Sequence, residues 1–240
     1  MLNWQDYVEN AYAPKLTDFL DPREQHILKT LIGENAGVKW EVFGGSDGTE
    51  RNRALLFPDY SSADLDDFQI SLFEIDYPSK FVTIEHPQVL GSLMSLGLKR
   101  GKFGDIIFEG DRIQFFAANE VKDYLMLQLV SIGKAAVKLL DLPLQQAISI
   151  SQSWSEASIT VSSLRLDTVI SGIHNLSRQK SQLLIQQGHV KVNWTVIENP
   201  SFECDEGDLI SVRGHRRAKI TSLEGRTKKE KLRITVGKQK

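Results

Sequence analysis

The sequence predicts an α+β protein in three parts: an N-terminal helix-and-strand segment over residues 1–77, a ferredoxin-like (RRM-like) middle block over 78–158, and a basic module over 159–240. Three observations carry this reading. Hydrophobic periodicity in the middle block switches in the order strand, helix, strand, strand, helix, strand, the split βαβ pattern. Residues 144–158 are polar and rich in Ser and Gln, as a boundary would be. The charge balance changes sign just beyond them, from 14 Lys+Arg against 23 Asp+Glu in residues 1–158 to 15 against 8 in residues 159–240.

Trp4, Val8, Ala11 and Tyr12 recur at helical spacing, which predicts a helix over 3–20. Asp21-Pro22 starts a second, because Asp caps free N–H groups and Pro fits a first turn; it runs to about Asn35, and Gly37 stops it. Alternation predicts a strand over 38–43. Gly44-Gly45-Ser46-Asp47-Gly48 makes a turn, and strands over 53–57 and 68–75 flank the acidic loop 59–67. The middle block opens with a strand at 81–84, then a helix at 86–96 carried by Val89, Leu90, Leu93, Met94 and Leu96. Strands at 105–108 and 113–117 follow, joined by Glu109-Gly110-Asp111. A helix at 120–132 through Val121, Leu125, Leu129 and Ile132, and a strand at 136–140, complete it. A short strand at 159–161 opens the last module.

Several function classes drop out. No apolar run approaches the roughly 18 residues of a membrane span, and the N-terminus lacks the basic start and apolar stretch of a signal peptide. The one cysteine, Cys204, offers neither a disulfide nor a zinc cluster, which points to a reduced, cytoplasmic setting. His174, His189 and His215 show no metal-ligand spacing, so no metal and no cofactor is expected. Gly44–Gly48 lacks the Gly-Lys-Ser/Thr ending and following helix of a phosphate loop. Residues 211–240 hold 11 basic and 2 acidic side chains, a composition that suggests a polyanion partner.

Within the basic module, Leu166 with Ile170 and Val169 with Ile173 place a short apolar helix face. Ser177 is an N-cap for a second helix from Arg178 to about Gln187, which Leu183 and Leu184 pack against the first; Gly188 supplies its left-handed exit. In the strand His189-Val190-Lys191-Val192-Asn193, the valines point inward and His189, Lys191 and Asn193 outward. A capped helix N-terminus beside Arg178 and Lys180 is an anion site, to which Lys191 and Arg165 can add charge. Arg213, Arg216, Arg217 and Lys219 alternate with Val212 and Ile220 as in a strand.

The run Arg165-Leu166-Asp167, Ser177-Arg178, Leu184-Ile185, Gly188 and Val190-Lys191-Val192-Asn193, closed by Gly207-Asp208-Leu209-Ile210-Ser211-Val212, resembles the RNA-binding domain first recognised in ribosomal protein S-four, the αL motif. Trp194 stands where that family usually has Gly after Asn, and Ser181 where it has Ala. Farther upstream, Asp21-Pro22-Arg23, Phe43-Gly44-Gly45 with Glu50-Arg51, and Leu96-Gly97-Leu98-Lys99-Arg100 with Gly104-Asp105-Ile106 resemble the bacterial YlmH family. That resemblance implies a non-catalytic binder of structured RNA (rRNA, with tRNA as a further candidate) on the large ribosomal subunit. It also implies a role in rescue of stalled ribosomes and a link to cell division.

The RNA-contacting residues expected from both readings are Arg165, Ser177, Arg178, Lys180, Ser181, His189, Lys191, Asn193, Arg213, Arg216 and Arg217, together with Lys99, Arg100 and Lys102 on the middle block. That block lacks the paired-aromatic strand signature of an RRM, since Phe115 and Phe116 are adjacent. Two other classes stay open: an RNA-modifying enzyme of pseudouridine synthase type, and a division-site protein scaffold. Arg165-Leu166-Asp167 is similar to the synthases' catalytic motif, but Leu164 replaces its Gly and Asp167 falls inside a helical pattern as a local stabilising carboxylate.

Overall fold

A computed structural model describes residues 8, 13–32, 37–150, 154–226 and 231–239. The chain divides into two compact units, residues 1–151 and 152–240, the first spanning both the N-terminal segment and the middle block.

The first unit opens with β1 (Lys15–Leu20), where a helix was expected. Pro14 interrupts the expected helix by biasing the residue before it away from helical dihedrals, and the residues beyond it pair with β3 and bury Thr17, Phe19 and Leu20. Most of the upstream part of that expected helix lies outside the described residues. Next is α1 (Pro22–Ile32), whose start is the capping box Asp21/Glu24, the Glu24 N–H donating to Asp21 Oδ1 at 2.9 Å and the Asp21 N–H to Glu24 Oε2 at 2.7 Å. β2 (Val38–Phe43) and β3 (Asn52–Pro58) join β1 in an antiparallel sheet of order β1-β3-β2.

A second sheet follows, from β4 (Ile70–Asp76), α2 (His86–Ser95), β5 (Phe103–Glu109), β6 (Arg112–Ala118), α3 (Lys122–Gln128), the hairpin β7 (Ser131–Ile132) and β8 (Ala135–Ala136), and β9 (Lys138–Leu142). Its order, β5-β6-β4-β9 with every neighbour antiparallel, is the ferredoxin-like arrangement. The opening strand is β4, not the expected 81–84. Around Pro78 the chain turns instead, the N–H groups of Phe81 and Val82 both donating to the Pro78 carbonyl, and Phe81 is 88% exposed. The helix expected over 120–132 ends at Gln128, because Gly133, at φ +58°, turns residues 131–136 into a hairpin.

Both faces of this sheet are occupied. Phe73 and Phe115, stacked at 5.2 Å, lie with Leu93 and Leu125 of α2 and α3. On the other face Leu72 and Phe116 lie with Phe19 of β1 and with Ile148. Close approach there requires glycine: a Cβ at Gly45 would stand 2.3 Å from the Phe116 ring, and one at Gly104 would stand 2.8 Å from Phe19. Gln114, fully buried, accepts from the Ile148 N–H at 2.7 Å and donates to Glu74 at 2.8 Å, which pins residues 144–150 to the sheet.

The second unit consists of β10 (Trp154–Val161), α4 (Leu166–His174), α5 (Arg178–Gln186), β11 (Val190–Val192), β12 (Thr195–Val196), β13 (Leu209–Val212), β14 (Ala218–Arg226) and β15 (Leu232–Gln239). Its six strands run in the order β10-β15-β14-β13-β11-β12. β10 is the strand expected at 159–161, begun earlier, so it runs across the expected boundary at 158. Leu166, Val169, Ile170 and Ile173 of α4, all with no exposure, and Ile185 of α5 close the core against Val190, Ile210, Ile220 and Val236. Leu183 is exposed rather than packed; Ile185 and the half-buried Leu184 take the inward positions.

Asn193 (φ +47°) and Trp194 (φ +62°) form the two-residue turn between β11 and β12, a type I′ geometry that favours Asn-Gly. A tryptophan in left-handed backbone costs roughly 1–2 kcal/mol relative to glycine. Trp194→Gly is therefore expected to stabilise the protein by about 1 kcal/mol, read from urea unfolding; unchanged or lower stability would mean that indole packing outweighs the strain.

Candidate nucleic-acid interface

The site grows from one residue out of place on an apolar helix. Asp167 sits in the first turn of α4 between Leu166 and Val169, and its side chain has no solvent exposure. Arg165 grips it with two donors, Nε to Oδ1 at 3.2 Å and Nη2 to Oδ2 at 3.1 Å. From α5, Arg178 Nε donates to Oδ2 at 3.0 Å and Gln182 Nε2 at 2.7 Å. Burial alone would raise the carboxyl's pKa; the bonds from Arg165, Gln182 and Arg178, with the charge of Arg178, hold it well below the usual range. Asp167 is thus charged at any physiological pH and ties α4 to α5.

The bond geometry leaves a specific edge open. Arg178 uses only Nε on Asp167, its side chain is 56% exposed, and its two terminal nitrogens have no hydrogen-bond partner among the described residues. They form the fork that suits a phosphate. Beside it Ser177 caps α5, accepting from the Lys180 N–H at 3.2 Å, and Lys180 is exposed. Arg165, Ser177, Arg178 and Lys180 therefore gather at one helix end.

The other expected residues divide differently. Ser181 is fully buried and its hydroxyl donates to the Ser177 carbonyl at 3.2 Å, so it braces the helix instead of facing a ligand. Asn193 holds the β11–β12 turn: its amide donates to Asp208 at 2.8 Å and accepts from the Leu209 N–H at 2.9 Å. His189 and Lys191 lie past the C-terminal end of α5, with the Arg213 guanidinium 3.4 Å from the His189 ring. Nine helical residues, roughly 13 Å at 1.5 Å per residue, separate them from the Arg178 end, so the cations make two groups rather than one. Arg213, Arg216 and Arg217 fall in the connection between β13 and β14, not in a strand; Lys219 is the one on β14. Lys228, Lys229 and Glu230 lie outside the described residues.

On the first unit, only Lys99 of its basic cluster is exposed. Lys102 is ion-paired with Asp18 and Glu120. Arg100 is half-buried and donates to the Phe103 carbonyl at 2.6 Å and to that of Gly104. Arg100 is drawn inward by the carbonyls at the irregular start of β5, and Lys102 by Asp18 of β1 and by Glu120.

Asp167 and Gln182 are the residues of the candidate site whose part the sequence alone understates. The signal was present: an aspartate on a helix face that otherwise buries needs cationic or N–H partners, and Arg178 and Gln182 stand one turn apart on the next helix. Among the described residues, no group of three or more His, Cys, Asp or Glu is placed to hold a metal ion. Cys204 is buried, and that burial, with the Asp208 charge, pushes its thiol up to about 12, far from nucleophilic range.

Comparison with known proteins matches residues 63–146 to a family described as a putative RNA-binding domain in YlmH, and residues 164–210 to the S4 domain. The chain is 45% identical over 239 residues to the ribosome-associated protein quality control protein P2 of Bacillus subtilis, covering 100% of this chain and 93% of that one. It is 36% identical over 67 residues to the small ribosomal subunit protein uS4c of Guillardia theta, covering 28% of this chain and 34% of that one. Among solved structures it resembles the cell division protein ylmH from Streptococcus pneumoniae, with a TM-score of 0.54, 34% identity, and coverage of 62% of this chain and 90% of that chain.

At the C-terminal end of α4, the His174 and His215 rings stand 4.7 Å apart, and the His174 Nε2 is buried without a hydrogen-bond partner among the described residues. Burial, the His215 ring and Lys238 lower the His174 pKa to about 4 from the ordinary 6.5. The unfolded chain then takes up this proton before the folded one does, so stability present above pH 6.5 is expected to fall as pH drops towards about 4. Urea midpoints between those limits should decline, and His174→Phe should flatten the decline; an equally steep profile in that variant would assign it to other groups.

Proposed function

This chain belongs to the YlmH family, and from that premise we propose that it is a ribosome-associated protein that binds structured RNA, with its S4 domain as the principal contact. Its RNA is ribosomal, on the large subunit, with tRNA held in the same complex during quality control of stalled translation. The observation that carries this reading is the half-anchored guanidinium of Arg178. Its Nε is fixed on a buried carboxylate while its terminal nitrogens stay open. An arginine so held loses little side-chain freedom on binding a phosphate, and its planar fork matches two phosphate oxygens.

The mechanism is placement, not chemistry. Arg165 and Lys180 add charge beside Arg178, and the Ser177 cap leaves further N–H groups at the α5 N-terminus pointing outward. His189, Lys191 and Arg213 form a second contact group toward the other end of the helix, so a duplex or folded RNA would be held at two points by shape and charge. A synthase reading fares worse. The aspartate that would attack a base is Asp167, which has no exposure and whose oxygens already accept from Arg165, Thr168, Arg178 and Gln182. A division-related role stands as a further proposal, downstream of RNA binding.

Arg178→Ala is expected to weaken co-sedimentation with large ribosomal subunits about tenfold at physiological salt, and Arg178→Lys to rescue little, because an ammonium cannot anchor and fork at once. Unchanged binding in both would remove Arg178 from the footprint. Asp167→Asn tests orientation against net charge. Removing a negative charge beside phosphate should tighten binding if charge alone matters; the expected result is weaker binding, because both arginines lose their anchor.

A further inference from the structure

The two motifs of the first unit, Glu50-Arg51 and Lys99-Arg100 with Gly104-Asp105, meet in space. Arg51 Nε donates to the Phe103 carbonyl at 3.2 Å, and Arg100 Nη1 donates to the same oxygen at 2.6 Å. Two guanidinium cations thus converge on one neutral acceptor. Arg51 also reaches the Phe19 carbonyl at 2.8 Å, and Arg100 the Gly104 carbonyl at 3.3 Å. Among the described residues neither is ion-paired with any carboxylate. The nearby Asp105 is turned elsewhere, accepting the backbone N–H groups of Glu50 at 2.6 Å and Arg51 at 3.3 Å, and burial pushes its carboxyl above the usual range.

Like charges held together and half-buried repel each other more strongly than they would in water, and Asp105, which bonds neither side chain, offsets only part of that repulsion at Arg100. Burial and the neighbouring Arg51 charge lower the Arg100 pKa to about 10. A ligand that relieves this is anionic and carries several acceptor oxygens. Each arginine keeps one nitrogen without a partner among the described residues, Nη1 on Arg51 and Nε on Arg100, and Lys99 beside them is exposed. The sheet face on which an RRM stacks bases is filled by Phe19, Phe116 and residues 144–150. Any RNA contact of this unit must therefore use its edges and loops.

We propose that Arg51 and Arg100 form a second phosphate site, on the first unit, which takes the sugar-phosphate backbone of an RNA strand, with Lys99 reaching a neighbouring phosphate. The proposal rests on the chain being an RNA binder and adds a site that lies partly outside the matched domain, since Arg51 precedes residue 63. An exposed lysine next to Arg100 in the chain offers a contact to a second phosphate, which favours a polymer over an isolated phosphate.

The test uses the full chain with nitrogen-labelled arginine. Side-chain Nε resonances are followed while a 20-nucleotide RNA hairpin is added at low salt, and inorganic phosphate is added separately. The expected result is that RNA shifts Arg51 and Arg100 along with Arg178, and that it still shifts the first two in an Arg178→Ala chain. Binding by Arg51→Gln/Arg100→Gln should then show a salt slope shallower by about 0.9 for each duplex phosphate that the variant leaves unneutralised. The wild-type spectra stand even if that variant misfolds. RNA that moves Arg178 and leaves Arg51 and Arg100 in place overturns the proposal and spares the RNA-binding reading. Phosphate that moves the pair where RNA does not also overturns it, as a site for a free anion. RNA that moves no arginine at all removes both.

Discussion

A single carboxylate with no access to water organises the second unit. Burying Asp167 is costly unless its oxygens are filled, and the chain fills them with Arg165, Arg178, Gln182 and Thr168. Breaking such a buried pair typically costs about 3–5 kcal/mol, although replacing the whole set with apolar residues can be neutral. Stability alone is therefore a poor reason for this arrangement. Direction is a better one. The same bonds that satisfy Asp167 fix the planes of two guanidiniums and link α4 to α5, so the helix pair cannot slide without unmaking the cationic surface.

The first unit applies the opposite logic to a related chemistry. Its ferredoxin-like sheet has the topology on which other proteins stack bases, yet Phe115 faces the helices and Phe116 lies under Gly45 and Phe19, both with no exposure. The cover depends on glycines that admit an aromatic ring at van der Waals distance and on Gln114, which satisfies an otherwise orphaned N–H at Ile148. Topology here sets where the strands run and leaves only edges and loops open to a ligand.

What was legible in the sequence followed from local rules. The Ser177 cap, the Gly188 exit at φ +70°, the apolar face of α4 and the capped start of α1 each depend on neighbours within a turn. What was not legible depended on distant partners or on competition between periodicities. Residues 15–20 fit a helical stripe as well as a strand, and the pairing with β3 that decides between them is remote in sequence; residues 81–84 read as a strand only if Pro78 is ignored. Ser181 and Asn193 looked like polar contacts because sequence shows a hydroxyl or an amide without showing that Ser177 or Asp208 already holds it.

The same reasoning limits what a count of charges can say. Residues 159–240 carry 15 Lys+Arg against 8 Asp+Glu, but binding power lies in cations whose hydrogen-bonding edges remain open, not in that difference. Lys102 adds to the total and contributes little outward, since Asp18 and Glu120 hold it. Arg178 is also in an ion pair, yet the pair consumes one nitrogen and aims the others. An ion pair can therefore silence a cation or prepare it. The deciding feature is whether the carboxylate is solvated, as with the partners of Lys102, or buried behind the cation, as with Asp167. In the second case the carboxylate cannot follow the cation outward to screen an arriving anion, and the arginine is oriented before any ligand is present.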